Sequence, residues 1–243
     1  MSETAVPRRG LLIPVLTTLL IVGALLSLGF WQLSRLADKR ALIAALDERL
    51  AAQPVALPPV TQWGALSART DEFRRVTLSG VVARGQQARV FASVSPLRKD
   101  ITGTGAWLFA PVKLAGGEQV AVNLGFVPEG AAVPASQPGG PETLTGYIRF
   151  PEQAGWLTPV ADMAKRLWFV RDPVAMAQAL GWGPVAPFYI DLEAPVPPGG
   201  VPKPGPLQVH LKNDHLQYAI TWFLLAAAVA IAFAVWLRGH RRA

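Results

Sequence analysis

Two long runs of uncharged, mostly apolar residues constrain this chain more than any other feature. Residues 11–33 carry no charge over 23 positions, and residues 216–237 carry none over 22. A helix needs roughly 20 apolar residues to cross the hydrocarbon core of a bilayer. The whole chain is also 51% hydrophobic, with a mean hydropathy of +0.30, which is high for an ordinary soluble domain. We therefore predict a membrane-spanning helix near each end.

The first run has an alternative interpretation as a cleaved signal peptide. The apolar core of a signal peptide usually has about 7–15 residues, fewer than this run, and no clear Ala-x-Ala site closes it. The later sequence "ALIAAL" (41–46) keeps the alternative open, but an uncleaved span is the better prediction.

The positions of the charges predict the topology. The basic sequence "RGHRR" after residue 237 should stay in the cytoplasm, and long loops are translocated largely regardless of charge. Both termini are therefore predicted to be cytoplasmic and the intervening region external. Because no amphipathic Arg/Ser-rich transit peptide precedes the first span, we expect a bacterial inner membrane and a periplasmic domain. The predicted boundaries are a cytoplasmic tail (1–10), transmembrane helix (11–33), helical extension (34–53), external β-rich domain (54–193), Pro-rich linker (194–212), transmembrane helix (213–237) and cytoplasmic tail (238–243).

The external region is predicted to be an α+β domain dominated by short strands. Seven segments rich in β-branched or aromatic residues are separated by turn signals, which favours an antiparallel sandwich or a partly closed barrel. "AGGEQ" (115–119) predicts a hairpin turn. One short helix is expected, with Asp172 as N-cap, Pro173 as its first residue and Gly181 at its end. The predicted strands are 73–82, 88–96, 105–114, 118–127, 142–150, 166–171 and 186–193.

The external domain offers little catalytic chemistry. The chain has no cysteine, which excludes disulfides, thiol catalysis and a thiol copper chaperone. All three histidines lie outside the strand region, so a Ser/His/Asp triad has no base there. Asp71 and Glu72 should point to opposite faces of a strand, while Asp191 and Glu193 share a face and are interpreted as a solvated strand end. The net charge of +7 is dispersed, which argues against nucleic-acid binding. We predict that the chain is not an enzyme.

The start of the second span carries an unexpected histidine. In "NDHLQYAITWF" (213–223), His215, Tyr218 and Trp222 follow i, i+3, i+7 spacing and share one helix face. A polar residue at membrane depth is a functional hypothesis by default. Neutral imidazole is the usual proximal ligand of haem iron, and an aromatic-lined slot between two helices would suit a porphyrin.

The end of the first span should supply the other side of this slot. In antiparallel spans, Trp31 and Gln32 would face His215, and Arg35 and Lys39 just beyond could meet haem propionates. A plainer interpretation is favoured by the residues alone: Asn213 or Asp214 caps the helix, and the aromatic residues form an interfacial belt.

Six ordered motifs resemble the surfeit-locus family of cytochrome c oxidase assembly proteins. The chain is also similar to that family in having a span at each end of a β-rich domain. It departs from the family pattern at Leu124, Phe126, Asp214 and Gln217. The motifs are "LGFWQLSRLADK" (28–39), "FRRVTLSG" (73–80), "GAWLFAPVKL" (105–114), "VNLGFVP" (122–128), "LTGYIRFPE" (144–152) and "NDHLQYAITWF" (213–223).

This resemblance implies a non-enzymatic assembly factor for a haem–copper terminal oxidase. It implies that haem a is bound and passed toward the catalytic subunit, with His215 matching the family's proposed haem ligand, and that the haem a synthesis machinery is a further partner. A cofactor-free scaffold for an oxidase intermediate is the alternative. An unrelated two-span sensor is disfavoured because ten and six flanking residues leave no room for a cytoplasmic output domain.

Overall fold

The computed structural model describes residues 9–93, 95, 97–133, 139–208 and 212–240. These described residues fall into two compact units, one within the ranges 1–44 and 211–243 and the other within the range 45–210. The first unit is helical and the second is β-rich.

The helical unit is built on the two apolar runs. Helix α1 (Arg9–Ala51) begins before the first run and continues past it, as the predicted helical extension requires. Helix α4 (His215–His240) contains the second run. Both helices are long and apolar enough to cross a membrane, so the prediction of two apolar helices flanking a β-rich domain is confirmed. The pair indicates a two-span membrane protein.

The β-rich unit is a closed five-stranded barrel, which decides between the two architectures left open by the sequence. The strands of the unit are β1 (Val55–Ala56), β2 (Arg75–Val82), β3 (Ala88–Ala92), β4 (Gly105–Leu114), β5 (Gln119–Pro128), β6 (Glu142–Arg149), β7 (Leu167–Trp168) and β8 (Tyr189–Ala194). The ring runs β2–β6–β8–β5–β4 and closes by pairing β4 with β2. All its pairings are antiparallel except β5–β8. The short β1 adds to β2, and β3 and β7 extend the sheet beyond β4.

Successive side chains along a strand point to opposite faces of the barrel wall. Those on one face fill the barrel interior, and those on the other face pack against an outer layer. Val120, Val122 and Leu124 of β5 belong to the cluster that fills the barrel interior, while Ala121 and Phe126 belong to a second cluster. The second cluster includes residues of β3, β7 and helix α3 (Pro173–Leu180). This outer layer explains why β4 and β5 are buried on both faces over most of their length.

Helix α3 has the ends that the sequence predicts. The Asp172 side chain accepts hydrogen bonds from the backbone N–H groups of Val174 and Ala175, both at 3.0 Å. Gly181 ends the helix in the left-handed conformation, at φ 68°. The prediction is therefore confirmed. It was possible from the sequence because both signals act within the helix ends and need no distant partner.

Several smaller expectations were wrong in detail. The predicted strand 166–171 pairs over only two residues, as β7. Asp71 does not lie in a strand, since it ends the short helix α2 (Ala68–Asp71), and Glu72 follows it before β2 begins. A 3₁₀ turn (Val60–Ala65) and β1 are elements that the sequence did not signal. Residues 94 and 96 of the predicted strand 88–96 lie outside the described residues.

The Pro-rich segment is packed against the barrel and is not a free spacer. The backbone of Lys203 exchanges two hydrogen bonds with Phe126 of β5, at 3.1 and 2.8 Å, and Gly205 N–H donates to the Leu192 carbonyl at 3.1 Å. Gly125 permits this close approach: its φ is 128°, and a Cβ there would lie 2.6 Å from the Lys203 carbonyl oxygen. The interpretation of residues 194–212 as a linker therefore needs correction over residues 194–208, and residues 209–211 lie outside the described residues.

Candidate functional site

A hydrogen bond between two polar side chains joins the helices of the helical unit. Nδ1 of His215, the first residue of α4, lies 2.7 Å from Oε1 of Gln32 in α1. An amide oxygen only accepts hydrogen bonds, so Nδ1 carries the proton in this contact. The lone pair of the neutral ring is then on Nε2, the nitrogen that remains for another partner.

From this bond toward the C-terminus of α4, the two helices run antiparallel. Phe223, two turns further along α4, contacts Phe30 edge to face at 5.3 Å between ring centroids. Gly29 is buried, and a Cβ added to it would lie 2.7 Å from Cζ of Phe223. Only glycine therefore leaves room for this ring. Ala219 is also buried, which fits the small residues common at membrane helix contacts.

The aromatic residues predicted to line a slot lie instead on an open face. Trp31 is 52% exposed and Tyr218 is 56% exposed, whereas Trp222 is partly buried. At about 100° per residue, Trp31 and Tyr218 are rotated in the same sense from Gln32 and His215. In an antiparallel pair, positions rotated in the same sense lie on one side of the pair. Between the two helices, the predicted aromatic-lined slot takes the form of an open surface, with the His215–Gln32 bond at its edge.

The charged residues near the helix ends are paired locally. Arg35 lies 3.6 Å from Asp38 and is exposed, so its guanidinium is held by only a weak surface contact. Asp214 pairs with Lys212 at 2.8 Å. Oδ1 of Asn213 is buried and has no hydrogen-bond partner among the described residues. The Asp214 backbone carbonyl accepts the first bond of the helix, from the Tyr218 N–H at 3.1 Å, so Asp214 holds the N-cap position of the plainer interpretation.

A buried ionic network in the barrel was missed by sequence reasoning. Arg149 Nε donates to Glu72 at 2.6 Å, and its Nη1 donates to Asp191 at 2.9 Å. Asn123 donates to the other oxygen of Asp191 at 2.7 Å. Asp191 is buried, so its interpretation as a solvated strand end was wrong. The signal that could have found it is its position in β8, between Ile190 and Leu192 in a run of four buried residues.

Electrostatics explain how this network tolerates burial. Burial by itself lowers the pKa of Arg149, but the anionic forms of Tyr189, Asp191 and Glu72 outweigh that effect and hold the pKa above its usual value. Burial, with the nearby Asp191 carboxylate, likewise raises the pKa of Tyr189. Arg149 therefore stays charged and Tyr189 neutral at physiological pH. Loss of the Arg149 cation alone would leave two carboxylates unpaired in the barrel wall, which is the costly change for a buried ion pair.

Fold and helix contacts together define a class: two-span membrane proteins that carry a small β-barrel domain between their spans. The sequence pattern of the SURF1 family matches residues 19–227. The chain therefore belongs to the SURF1 family. This range includes the C-terminal end of α1, the N-terminal end of α4 and the whole barrel.

Individual relatives support the family assignment. The chain is 33% identical over 222 residues to a SURF1-like protein of Monosiga brevicollis, covering 87% of this chain and 82% of that protein. It is 31% identical over 237 residues to Surfeit locus protein 1 of Homo sapiens, covering 91% and 77%. The Rattus norvegicus protein of the same name is 31% identical over 234 residues, covering 90% and 73%.

Proposed function

We propose that this protein is an assembly factor for a haem–copper terminal oxidase, which holds haem a at the outer ends of its two membrane helices and assists its insertion into the catalytic subunit. Membership of the SURF1 family and the two apolar helices support the membrane-bound assembly role. The observation that carries the haem proposal is the 2.7 Å contact between His215 and Gln32.

The contact prepares His215 for iron. Gln32 accepts from Nδ1, which fixes the tautomer and leaves the Nε2 lone pair for a metal. Ligating histidines commonly have such a partner on the other ring nitrogen, which also orients the ring. The donor set therefore fits haem iron with a single histidine from this chain. When bound, haem is the cargo, and the chain's residues hold and orient it.

The open face suits a cargo that must leave. Trp31, Tyr218 and Trp222 offer flat apolar surfaces against which a porphyrin can lie. Arg35 is free to exchange its weak contact with Asp38 for a propionate, since a bidentate Arg–carboxylate pair is stronger than an exposed pair at 3.6 Å. A face open on one side lets a partner subunit approach the same haem.

The proposed orientation follows the charges. By the positive-inside rule, the basic residues after position 237 favour a cytoplasmic C-terminus, and the start of α4 and the barrel would then lie on the periplasmic side of a bacterial inner membrane. Proposed partners are the oxidase catalytic subunit and the haem a synthesis machinery.

A cofactor-free scaffold is the second candidate, and one observation favours it. The His215–Gln32 bond also serves to hold two helices together, and the exposed Trp31 and Tyr218 can pack against helices of an oxidase subunit. In this role, association with oxidase subunits would survive loss of the histidine side chain.

Deletion of the gene in its host tests the assembly role. We expect the haem a content and activity of the terminal oxidase to fall severalfold, and the wild-type gene to restore both. A strain carrying His240→Ala, which alters a histidine at the far end of α4, serves as the matched control and should behave as wild type. An unchanged amount of assembled oxidase in the deletion strain would contradict the proposal.

Gln32→Leu is expected to weaken haem binding by about 10–100-fold, the usual effect of removing the partner of a metal-ligating histidine. Leucine keeps the volume of the side chain but cannot accept the Nδ1 proton. Titration of the purified variant with haem, followed by absorbance, measures the change. Gln32→Glu, which still accepts, should retain most of the affinity. Equal haem affinities for Gln32→Leu and wild type would show that the Gln32–His215 hydrogen bond does not contribute to haem binding.

A further inference from the structure

An exposed apolar loop in the β-rich unit has no role in the proposed haem site. The loop, residues 152–166, connects β6 to β7. Trp156 is 93% exposed, Leu157 74% and Val160 90%, and Met163 is exposed as well. Single exposed apolar residues need no explanation, but several within eight positions form a patch of the kind that marks an interaction surface.

The loop is ordered by hydrogen bonds, so its exposure is built into the fold. At its base, Glu152 N–H donates to the Arg171 carbonyl and the Arg171 N–H returns a bond to the Glu152 carboxylate, both at 3.1 Å. Asp162 and Leu167 exchange two backbone bonds, at 2.8 and 2.9 Å. Near the tip, Thr158 bonds twice to Gly155. Because the loop is already ordered, binding through these apolar side chains requires little further loss of conformational entropy.

The base of the loop lies where the chain leaves the barrel toward α4. Arg171 lines the same small polar cavity as Gly205 and Leu207. Only six residues separate Gln208 from His215, the first residue of the apolar helix α4. A short connection between a domain and a membrane helix gives the membrane surface a high effective concentration at that domain. The bilayer crossed by α4 is such a surface, and it needs no diffusing partner.

We propose that the apolar loop inserts its tip into the headgroup region of the membrane to which the protein is anchored. Trp, Leu and Val beside cationic residues form the combination that favours a lipid–water interface. The side chain of Lys165 is 76% exposed and its ammonium lies 3.4 Å from the Asp162 carboxylate, and Arg166 next to it is exposed. Both cations can meet lipid phosphates while Trp156 and Val160 enter the apolar layer. This role is independent of haem.

The absence of cysteine in the chain makes a clean test possible. Val160→Cys in the full-length protein is labelled with an environment-sensitive fluorophore and reconstituted into phosphatidylcholine–phosphatidylglycerol vesicles. Acyl chains brominated near the glycerol backbone serve as quenchers. Ala115→Cys, in the exposed turn between β4 and β5, is the matched control. At position 160 we expect blue-shifted emission and about a two-fold or greater loss of fluorescence to the brominated chains, as for a residue at the interface. At position 115 we expect neither change.

A second variant separates insertion from adsorption of the label. Adding Trp156→Ser and Leu157→Ser to Val160→Cys should restore most of the fluorescence, because the apolar contacts are then lost while the exposed loop keeps its backbone bonds. Three outcomes overturn the proposal. They are a water-exposed label at position 160, a label shielded from water but not quenched by lipid, which indicates a protein partner, and equal quenching at positions 115 and 160.

Discussion

His215→Ala is expected to lower the affinity of the purified protein for haem by at least about 100-fold, because it removes the one proposed iron ligand, a larger change than loss of that ligand's hydrogen-bond partner. The barrel should keep its stability, since its core lies in the other compact unit. Haem titration by absorbance measures the affinity, and the chemical unfolding of the barrel measures the fold.

Two further variants show whether the histidine acts as a ligand or as a link between helices. His240→Ala removes another histidine of α4 and should bind haem as wild type does. His215→Gly leaves a space for imidazole, so added imidazole should restore the Soret spectrum if ligation is the role of the side chain. Full affinity in His215→Ala would remove this residue from the site.

Arg149→Met is expected to lower the free energy of unfolding by about 3–5 kcal/mol, the usual effect of removing one partner from a buried ion pair. The substitution leaves the carboxylates of Glu72 and Asp191 without their cation inside the barrel wall. Urea unfolding of the full-length protein in detergent, followed by tryptophan fluorescence, measures the loss.

Matched variants locate the cause of that loss. Lys165→Met breaks an ion pair whose lysine is 76% exposed, so it should change stability by less than about 1 kcal/mol. Adding Asp191→Asn to Arg149→Met removes one stranded charge and should recover part of the stability. A loss below about 1 kcal/mol for Arg149→Met alone would mean that the network does not hold the barrel together.

Elements defined by local or compositional signals were predictable from the sequence. The two spans follow from runs of uncharged residues, and α3 follows from Asp172, Pro173 and Gly181. The strand 105–114 was predicted with the bounds of β4 because its β-branched and aromatic residues lie between turn signals. Each of these signals lies within the element it specifies.

Long-range pairing was not predictable in the same way. Closure of the barrel depends on β2 meeting β4 and on β8 running parallel to β5, and neither pairing leaves a mark within one strand. The burial of Asp191 depends on Arg149, 42 positions away. A carboxylate is usually solvated unless it is paired, and the apolar neighbours of Asp191 in β8 signal burial without identifying the partner.

At the helix ends, sequence spacing gave part of the geometry. It put Tyr218 and Trp222 near the face of His215, and antiparallel topology put Gln32 opposite the histidine. It did not determine whether Trp31 and Tyr218 face the neighbouring helix or the lipid, because helical periodicity fixes relative directions on one helix and not its rotation against another.

The absorption spectrum of the wild-type protein, purified from cells that synthesise haem a, is the most direct test of haem binding at the outer ends of the two helices. We predict a Soret band from co-purified haem a that is lost in His215→Ala and kept in His240→Ala. A wild-type protein that is folded, assembles with oxidase subunits and shows no Soret band would contradict haem binding and leave the cofactor-free scaffold.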